Sequence, residues 1–506
     1  MHMETGVIVS LSAYFLAMLG IGLWAWRKST ADIDGYLLGG RSLSPSVAAL
    51  SAGASDMSGW LMLGLPGAAY VSGLSAAWIA IGLFVGALVN YLIVAPRLRV
   101  HTERASDAIT IPAFFENRFE DRSHALRVVT SLVFIIFFTL YTSAGMVSGG
   151  KLFESAFGAD YALGLWITAG VVVIYTLFGG FLAVSLTDFV QGCIMIVALI
   201  LLPVVAFGAV GGGAMGALGI ANPGAFDIMG NLTTLAVISS LAWGLGYFGQ
   251  PHIIVRFMAV RSVRDVPAMR NIGMTWMGIA LLGALATGLV GAAYVVRTGA
   301  PLEDPETIFV LLAELLFDPL ITGFLLAALL AAIMSTISSQ LLVSSSSLTE
   351  DFYRIYLRRG ASQPELVTVG RVSVLLVALV AIWLAYDPNN TILGLVANAW
   401  AGFGAAFGPV VILSLTWKRL TRNGALAGIL VGAATVLFWI YAPVLAGGAT
   451  LSSVLYEIVP GFVLGGLAAI LVSVPGPNPP ASVLRSFEES DSAFRAALMD
   501  RHPADA

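Results

Sequence analysis

The chain is poor in charge. Its 506 residues include 25 Lys and Arg and 29 Asp and Glu, 11% in all, with a net charge of -4. Soluble domains carry about 25% charged residues, so a soluble enzyme or binding module is excluded. So small a net charge gives no basis for nucleic-acid binding. Cysteine is nearly absent: Cys193 stands alone in an apolar run, which excludes an intramolecular disulfide and reads as a small packing residue. The five histidines, His2, His101, His124, His252 and His502, are scattered, without the spacing a transition-metal site needs. No nucleophile–base pairing appears either, so the chain is read as not an enzyme. The first apolar run, Val7 to Trp26, follows a stretch without basic residues. It therefore reads as a retained helix with its N-terminus outside, not as a signal peptide.

What the chain does have is apolar length. Of its residues 58% are hydrophobic, in runs suited to helices of about 20 residues and not to the ten-residue alternation of an outer-membrane barrel. Thirteen spans are expected, at 5–26, 46–71, 74–96, 125–149, 161–183, 187–211, 233–258, 272–296, 319–347, 366–386, 391–416, 423–442 and 452–474. With the N-terminus outside, all of the 25 Lys and Arg except Lys151 and Arg297 fall on the cytoplasmic side of this alternation, including a group at 256–270. That distribution obeys the positive-inside rule. It places the C-terminus on the cytoplasmic side.

Two spans carry their own interruptions. The second contains Ser51-Ala52-Gly53-Ala54-Ser55-Asp56-Met57-Ser58-Gly59-Trp60, and the seventh contains Trp243-Gly244-Leu245-Gly246-Tyr247-Phe248-Gly249-Gln250-Pro251-His252. Glycine costs a helix about 1 kcal/mol each, and proline removes a backbone donor. Such clusters free main-chain groups at membrane depth, tolerable only where they line a cavity or face protein. Breaks paired five spans apart point to two inverted repeats with a site at the breaks. The expected organisation is therefore a first helix and loop (1–45), a first repeat (46–211), an external loop (212–232), a second repeat (233–416), two further helices (417–474) and a cytoplasmic tail (475–506).

Asp56 is a carboxylate at membrane depth, which by default marks an ion or substrate pathway. It can also cap free amides at the break, and the two readings are compatible. In the ninth span, Ser335 and Thr336 stand out in a run of hydroxyls, although most such hydroxyls only bond their own helix. Freed carbonyls of Ala54 and Met57, together with Ser335 and Thr336, would give a hard cation several oxygens. Trp60, Trp243 and Tyr247 adjoin the breaks and, with Tyr141, could enclose a small, partly apolar solute.

These strings, with Gly179-Gly180-Phe181-Leu182-Ala183-Val184-Ser185, Met334-Ser335-Thr336 and Ala399-Trp400-Ala401-Gly402-Phe403-Gly404-Ala405-Ala406-Phe407-Gly408-Pro409, resemble the sodium:solute symporter family, and within it the bacterial members that carry proline. The resemblance runs from about Tyr36 to Gly465. It implies an all-α integral membrane protein of 13 transmembrane helices, with a leucine-transporter-type 5+5 inverted-repeat core and two broken helices. It implies Na+ as coupling ion, held by the carbonyls of Ala54, Met57 and Ala332 and the hydroxyls of Ser335 and Thr336. Asp56, Ser58, Gly59 and Asp188 would belong to the Na+ path. L-proline would meet Ser55, Trp60, Tyr141, Trp243, Tyr247, Gln250 and Pro251. The implied activity is uptake of L-proline driven by Na+, by alternating access, in the lipid bilayer of a bacterial plasma (inner) membrane and without an obligate protein partner. A symporter of the same family for pantothenate, a sugar or another amino acid is the alternative within that class. A transporter-like sensor is the alternative outside it, and the short tail argues against that.

Overall fold

A computed structural model describes residues 4–29, 33–230, 232–386 and 391–499. His2, His502 and the end of the tail lie outside the described residues. Helix α1 (Thr5–Ser29) is the unbroken first span, and the short α2 (Ile33–Leu38) follows it. Helix α3 (Pro45–Asp56) starts where its sequence says it should. The Ser44 hydroxyl accepts from the Val47 amide at 3.4 Å, and Pro45 occupies the first turn. It stops at Asp56, because Met57 leaves helical conformation at φ -81° and ψ 78°. The chain resumes through a π-type turn (Trp60–Gly64) into α4 (Leu65–Ser72). The second span is thus broken inside its Gly/Ser cluster.

Next come α5 (Ala77–Arg104), α6 (Ile111–Phe119), α7 (Ala125–Phe157) and α8 (Tyr161–Ala221). Straight, the 61 residues of α8 would reach about 90 Å, three times the hydrocarbon thickness of about 30 Å. Two glycines break it: Gly180 (φ 59°, ψ -155°) and Gly211 (φ 68°, ψ 168°). A Cβ at Gly180 would also lie 2.7 Å from the Tyr36 ring and carbonyl, so only glycine fits. The fifth and sixth spans therefore meet at Gly180, not between residues 183 and 187. Helix also runs past Gly211 into the stretch expected to be an external loop.

The seventh span consists of α9 (Thr234–Leu241), a 3-10 segment (Ala242–Phe248) and α10 (Pro251–Ala259). Helix α11 (Val266–Thr298), the short α12 (Ile308–Leu316) and α13 (Pro319–Ser346) follow, the last continuing as a π-helical stretch to Leu357. The remaining helices are α14 (Gln363–Leu384), α15 (Ile392–Thr416), α16 (Arg422–Tyr441), α17 (Ile458–Ser473) and α18 (Ala481–Met499). Each of the thirteen expected spans is a helix, whole or broken. Helices α2, α6 and α12 were not foreseen, since they are too short to leave a membrane-length pattern. The charged tail forms α18, which buries Val483, Phe487 and Phe494. The guanidinium groups of Arg118 and Arg97 each lie 4.7 Å from a ring of that helix.

At the centre, α3 packs on α8, α10, α11 and α13. The end of α10 is stapled to the segment before α3: the Leu43 amide donates to Ala259 O at 3.1 Å, and the Arg261 amide to Leu43 O at 3.0 Å. Arg41 reinforces this by donating to Met258 O and Ala108 O, both at 2.8 Å. The two broken spans are therefore linked as one unit. Arg256, grouped by sequence with the cytoplasmic cations, instead sits inside α10 at 1% exposure. It pairs with Asp188 of α8 at 3.1 Å, because a cation on the core-facing side of α10 needs a buried anion to offset its lost hydration.

Candidate functional site

The break in the second span brings Ala54 to α13. Ser335 Oγ donates to the Ala54 carbonyl at 2.7 Å and to the Ala332 carbonyl at 3.1 Å. Thr336 Oγ1 lies 3.5 Å and 3.3 Å from the same two oxygens. All four residues are buried. Two carbonyls and two hydroxyls thus converge without a formal charge, and Met57, which follows α3 directly, has its backbone out of helical conformation. Hard monovalent cations are held by oxygen sets of this kind, with the hydroxyls turning their lone pairs inward. Ser338, one turn further along α13, donates back to its own helix, to Ser335 O at 3.0 Å.

Asp56 ends α3, and its partner comes from the other break. Tyr247 OH donates to Asp56 Oδ2, while Oδ1 has no hydrogen-bond partner among the described residues. The amide-capping alternative is not realised, because Asp56 lies at the C-terminal end of its helix, where free carbonyls, not amides, accumulate. Its own carbonyl accepts from Trp60 Nε1 at 3.0 Å. Trp60 consequently has its ring, and no donor, left to offer a solute. Ser58 Oγ accepts from the Trp60 amide at 3.4 Å, which shapes the turn. Ser55 Oγ donates back to Ala52 O at 3.1 Å. Gly59 faces α7, where a Cβ would collide with Ser148.

The aromatics assemble around Trp243. Its ring centroid lies 6.4 Å from Trp60, 6.5 Å from Trp400 and 5.5 Å from Tyr456. Tyr247 meets Trp400 edge-on at 5.1 Å, and Tyr141 meets His252 edge-on at 5.8 Å. These rings are buried. Gln250 Nε2 donates to the Trp400 carbonyl at 3.0 Å, while its buried Oε1 has no hydrogen-bond partner among the described residues. Pro251 opens α10. The structure gathers Trp60, Trp243 and Tyr247 into one cluster and seats Tyr141 beside His252, next to α10.

Asp188 stands in a separate polar cluster. Its Oδ2 accepts from Arg256 at 3.1 Å and from Ser51 Oγ at 2.7 Å, with Ser339 Oγ at 3.4 Å. Arg256 also donates to Ser339 Oγ at 2.6 Å and to His252 O at 2.6 Å. The cluster ties four helices together across the core.

Sequence reasoning missed Trp400, Tyr456 and Asn90. Trp400 sits in a quoted motif and could have been suspected from its place in a Gly-rich span. Tyr456 precedes α17, outside the two repeats, and had no signal. Its hydroxyl donates to Ala397 O at 2.7 Å and its amide to Ser239 Oγ at 3.0 Å, which seats its ring against Trp243.

The chain is 57% identical over 487 residues to the osmoregulated proline transporter OpuE of Bacillus subtilis (strain 168), covering 96% of this chain and 98% of that protein. It is also 57% identical, over 93% of this chain and 98% of the relative, to the high-affinity proline transporter PutP of the same organism. Among solved structures, the substrate-bound outward-open state of a Na+-coupled sialic acid symporter matches with a TM-score of 0.78 at 19% identity, over 94% of this chain and 99% of that one. At that identity the likeness speaks for the fold, which is that of the leucine-transporter type. The sodium:solute symporter family model matches residues 36–432. With the family matched over most of its length and its apolar helices long enough to span a bilayer, this plasma-membrane protein belongs to the sodium:solute symporter family.

Proposed function

We propose that the protein couples inward movement of Na+ to uptake of L-proline by alternating access, with its N-terminus outside and its C-terminus in the cytoplasm. The observation that carries this reading is the meeting of the two breaks. The first lays the Ala54 carbonyl against Ser335 and Thr336, and two residues further on Asp56 accepts from Tyr247 of the second. Na+ held by Ala54, Met57, Ala332, Ser335 and Thr336 fixes the end of α3. That end carries Asp56 and leads into Trp60, which meet the solute side of the pocket. Each ligand then raises the other's affinity, as linkage requires. Proline's ring and secondary ammonium suit the faces of Trp60, Trp243 and Tyr141, and its carboxylate suits amides freed at a break. Because α10 and the approach to α3 are stapled together, the broken spans swing as one body between outward and inward states. Each repeat, at 46–211 and at 233–416, contributes one of the two broken spans to that body.

The energetics suffice. One Na+ crossing about 100 mV releases about 2.3 kcal/mol, and a tenfold concentration gradient adds about 1.4 kcal/mol. Together they support accumulation on the order of 500-fold at one-to-one coupling.

The test is uptake of labelled L-proline into proteoliposomes under an imposed Na+ gradient, with and without a membrane potential. Uptake that needs Na+ and is unaffected by excess pantothenate, sugars or other amino acids is expected. Transport of one of those solutes in place of proline would replace the substrate, and no transport at all would remove the function. Thr336→Val, which deletes one oxygen at nearly constant volume, should weaken apparent Na+ affinity about tenfold, the cost of a lost contact of about 1.4 kcal/mol. Proline affinity at saturating Na+ should change less, and an unaltered Na+ activation curve would exclude α13 from the cation site. Trp243→Ala should weaken proline binding to the purified protein by about tenfold or more, since a buried aromatic face contributes at least about 1.5 kcal/mol. Wild-type affinity would remove Trp243 from the pocket.

A further inference from the structure

The unwound part of the seventh span leaves a carbonyl that its own helix cannot satisfy. In a continuous helix the amide of residue 251 would donate to the carbonyl of Tyr247, four residues earlier. Residue 251 is proline and has no N–H. The missing donor comes from α5: Asn90 Nδ2 donates to Tyr247 O at 3.1 Å, with Asn90 only 1% exposed. On the other flank, Trp400 of α15 grips the segment at both ends. Its indole Nε1 donates to Trp243 O at 2.7 Å, and its carbonyl accepts from Gln250 Nε2 at 3.0 Å.

The glycines make these grips possible. A Cβ at Gly246 would overlap the Trp400 indole, and one at Gly244 would overlap the backbone of Gly82. The 3-10 segment is thus pressed between α5 and α15 with no side chain in the way. A 3-10 segment has poorer hydrogen-bond geometry than an α-helix and is prone to rearrange, so external donors determine its shape. The carbonyls they hold belong to the two residues whose rings form the second-break side of the pocket.

We propose that Asn90 and Trp400 are positioning residues for substrate selectivity: by capturing the carbonyls of Tyr247 and Trp243 they set the spacing of the two rings that close on the solute. This rests on the reading of Trp243 and Tyr247 as substrate residues. Neither residue needs to touch the solute. Their removal loosens the pocket and costs discrimination by ring size, which a role in folding alone would leave unchanged.

The experiment uses purified full-length protein at saturating Na+ and measures equilibrium binding of labelled L-proline, with competition by its four- and six-membered ring homologues, azetidine-2-carboxylate and pipecolate. Trp400→Phe keeps most of the ring and removes the N–H donor. Asn90→Leu is nearly isosteric and removes the amide, and Asn90→Gln keeps a donor. Both Trp400→Phe and Asn90→Leu should raise the proline Kd about tenfold, the effect of stranding one buried carbonyl, and should lower the preference for proline over either homologue by at least about threefold. Asn90→Gln should recover part of both effects. Unchanged Kd and unchanged ring-size preference, with only fewer binding sites per milligram, would assign these residues to folding and overturn the proposal. Binding of proline by the wild type tests the functional reading separately. If the wild type binds it and the variants discriminate as the wild type does, the positioning role alone is wrong.

Discussion

Asp56→Ala is expected to lower Na+-driven uptake more than a hundredfold and to flatten the dependence of the remainder on Na+. Asp56 is a buried carboxylate with one oxygen on Tyr247 and the other without a hydrogen-bond partner among the described residues. A monovalent cation within about 5 Å of such a group gains about 3 kcal/mol at an effective dielectric of about 20, which alone is a factor above a hundred in affinity. The substitution also strands the Tyr247 hydroxyl, so the second break loses its anchor on the first. Asp56→Asn separates the two contributions: an amide oxygen still accepts from Tyr247, but the charge is gone. The asparagine variant should retain much of the proline affinity at saturating Na+ while needing far more Na+ to reach it. Na+ activation curves of the two variants in proteoliposomes check this. A curve like the wild type's for Asp56→Ala would rule out a role for the carboxylate in coupling.

Arg256→Met is expected to destabilise the folded protein by about 3–5 kcal/mol, because it leaves the Asp188 carboxylate buried and unpaired. Both side chains of this pair are essentially inaccessible, at 1% and 0% exposure. Ser51 and Ser339 share the network, so the loss would be felt in α3 and α13 as well as in α8 and α10. Against a typical total stability of about 5–15 kcal/mol, that is enough to lower the yield and thermal midpoint of the detergent-purified protein severely. Replacing both partners, Arg256→Met with Asp188→Leu, should recover most of the stability, since an apolar pair removes the stranded charge together with its partner. Thermal unfolding of the single and double variants measures this directly. A single variant as stable as the wild type would show that water or another group already balances Asp188. The double variant has a second use: full Na+ coupling in it would detach Asp188 from the Na+ path that the family resemblance implies.

The legible part of this protein was the part written in short-range signals. Hydropathy located the spans, and the Gly/Ser run ending at Trp60 and the Gly run ending at Pro251 located both breaks. Glycine and proline act on their own backbone, so their effect is readable wherever they stand. The meeting of Ser335 and Thr336 with the Ala54 carbonyl was legible for a similar reason, since Ala54 lies at a break and the two hydroxyls on one turn of α13, whereas the Ala332 carbonyl came only from the family resemblance. The boundary at Gly180 was misread because a single left-handed glycine turns the chain without the polar loop that marks other ends. Arg256 was misread because charge statistics count a cation near a span end as cytoplasmic, whereas its partner Asp188 lies 68 residues away in sequence.

By itself, then, the sequence determined that the chain lives in a membrane, where its long apolar spans lie and where two of them break. The tertiary structure alone decided who meets whom. Tyr247 reaches Asp56 across 191 residues of chain, Trp400 reaches Trp243 across 157, and Tyr456 arrives from outside both repeats to cover Trp243. Propensity and hydropathy are properties of a segment and its solvent. A buried hydrogen bond between distant helices is a property of how their surfaces fit, and it exists only once the helices are packed.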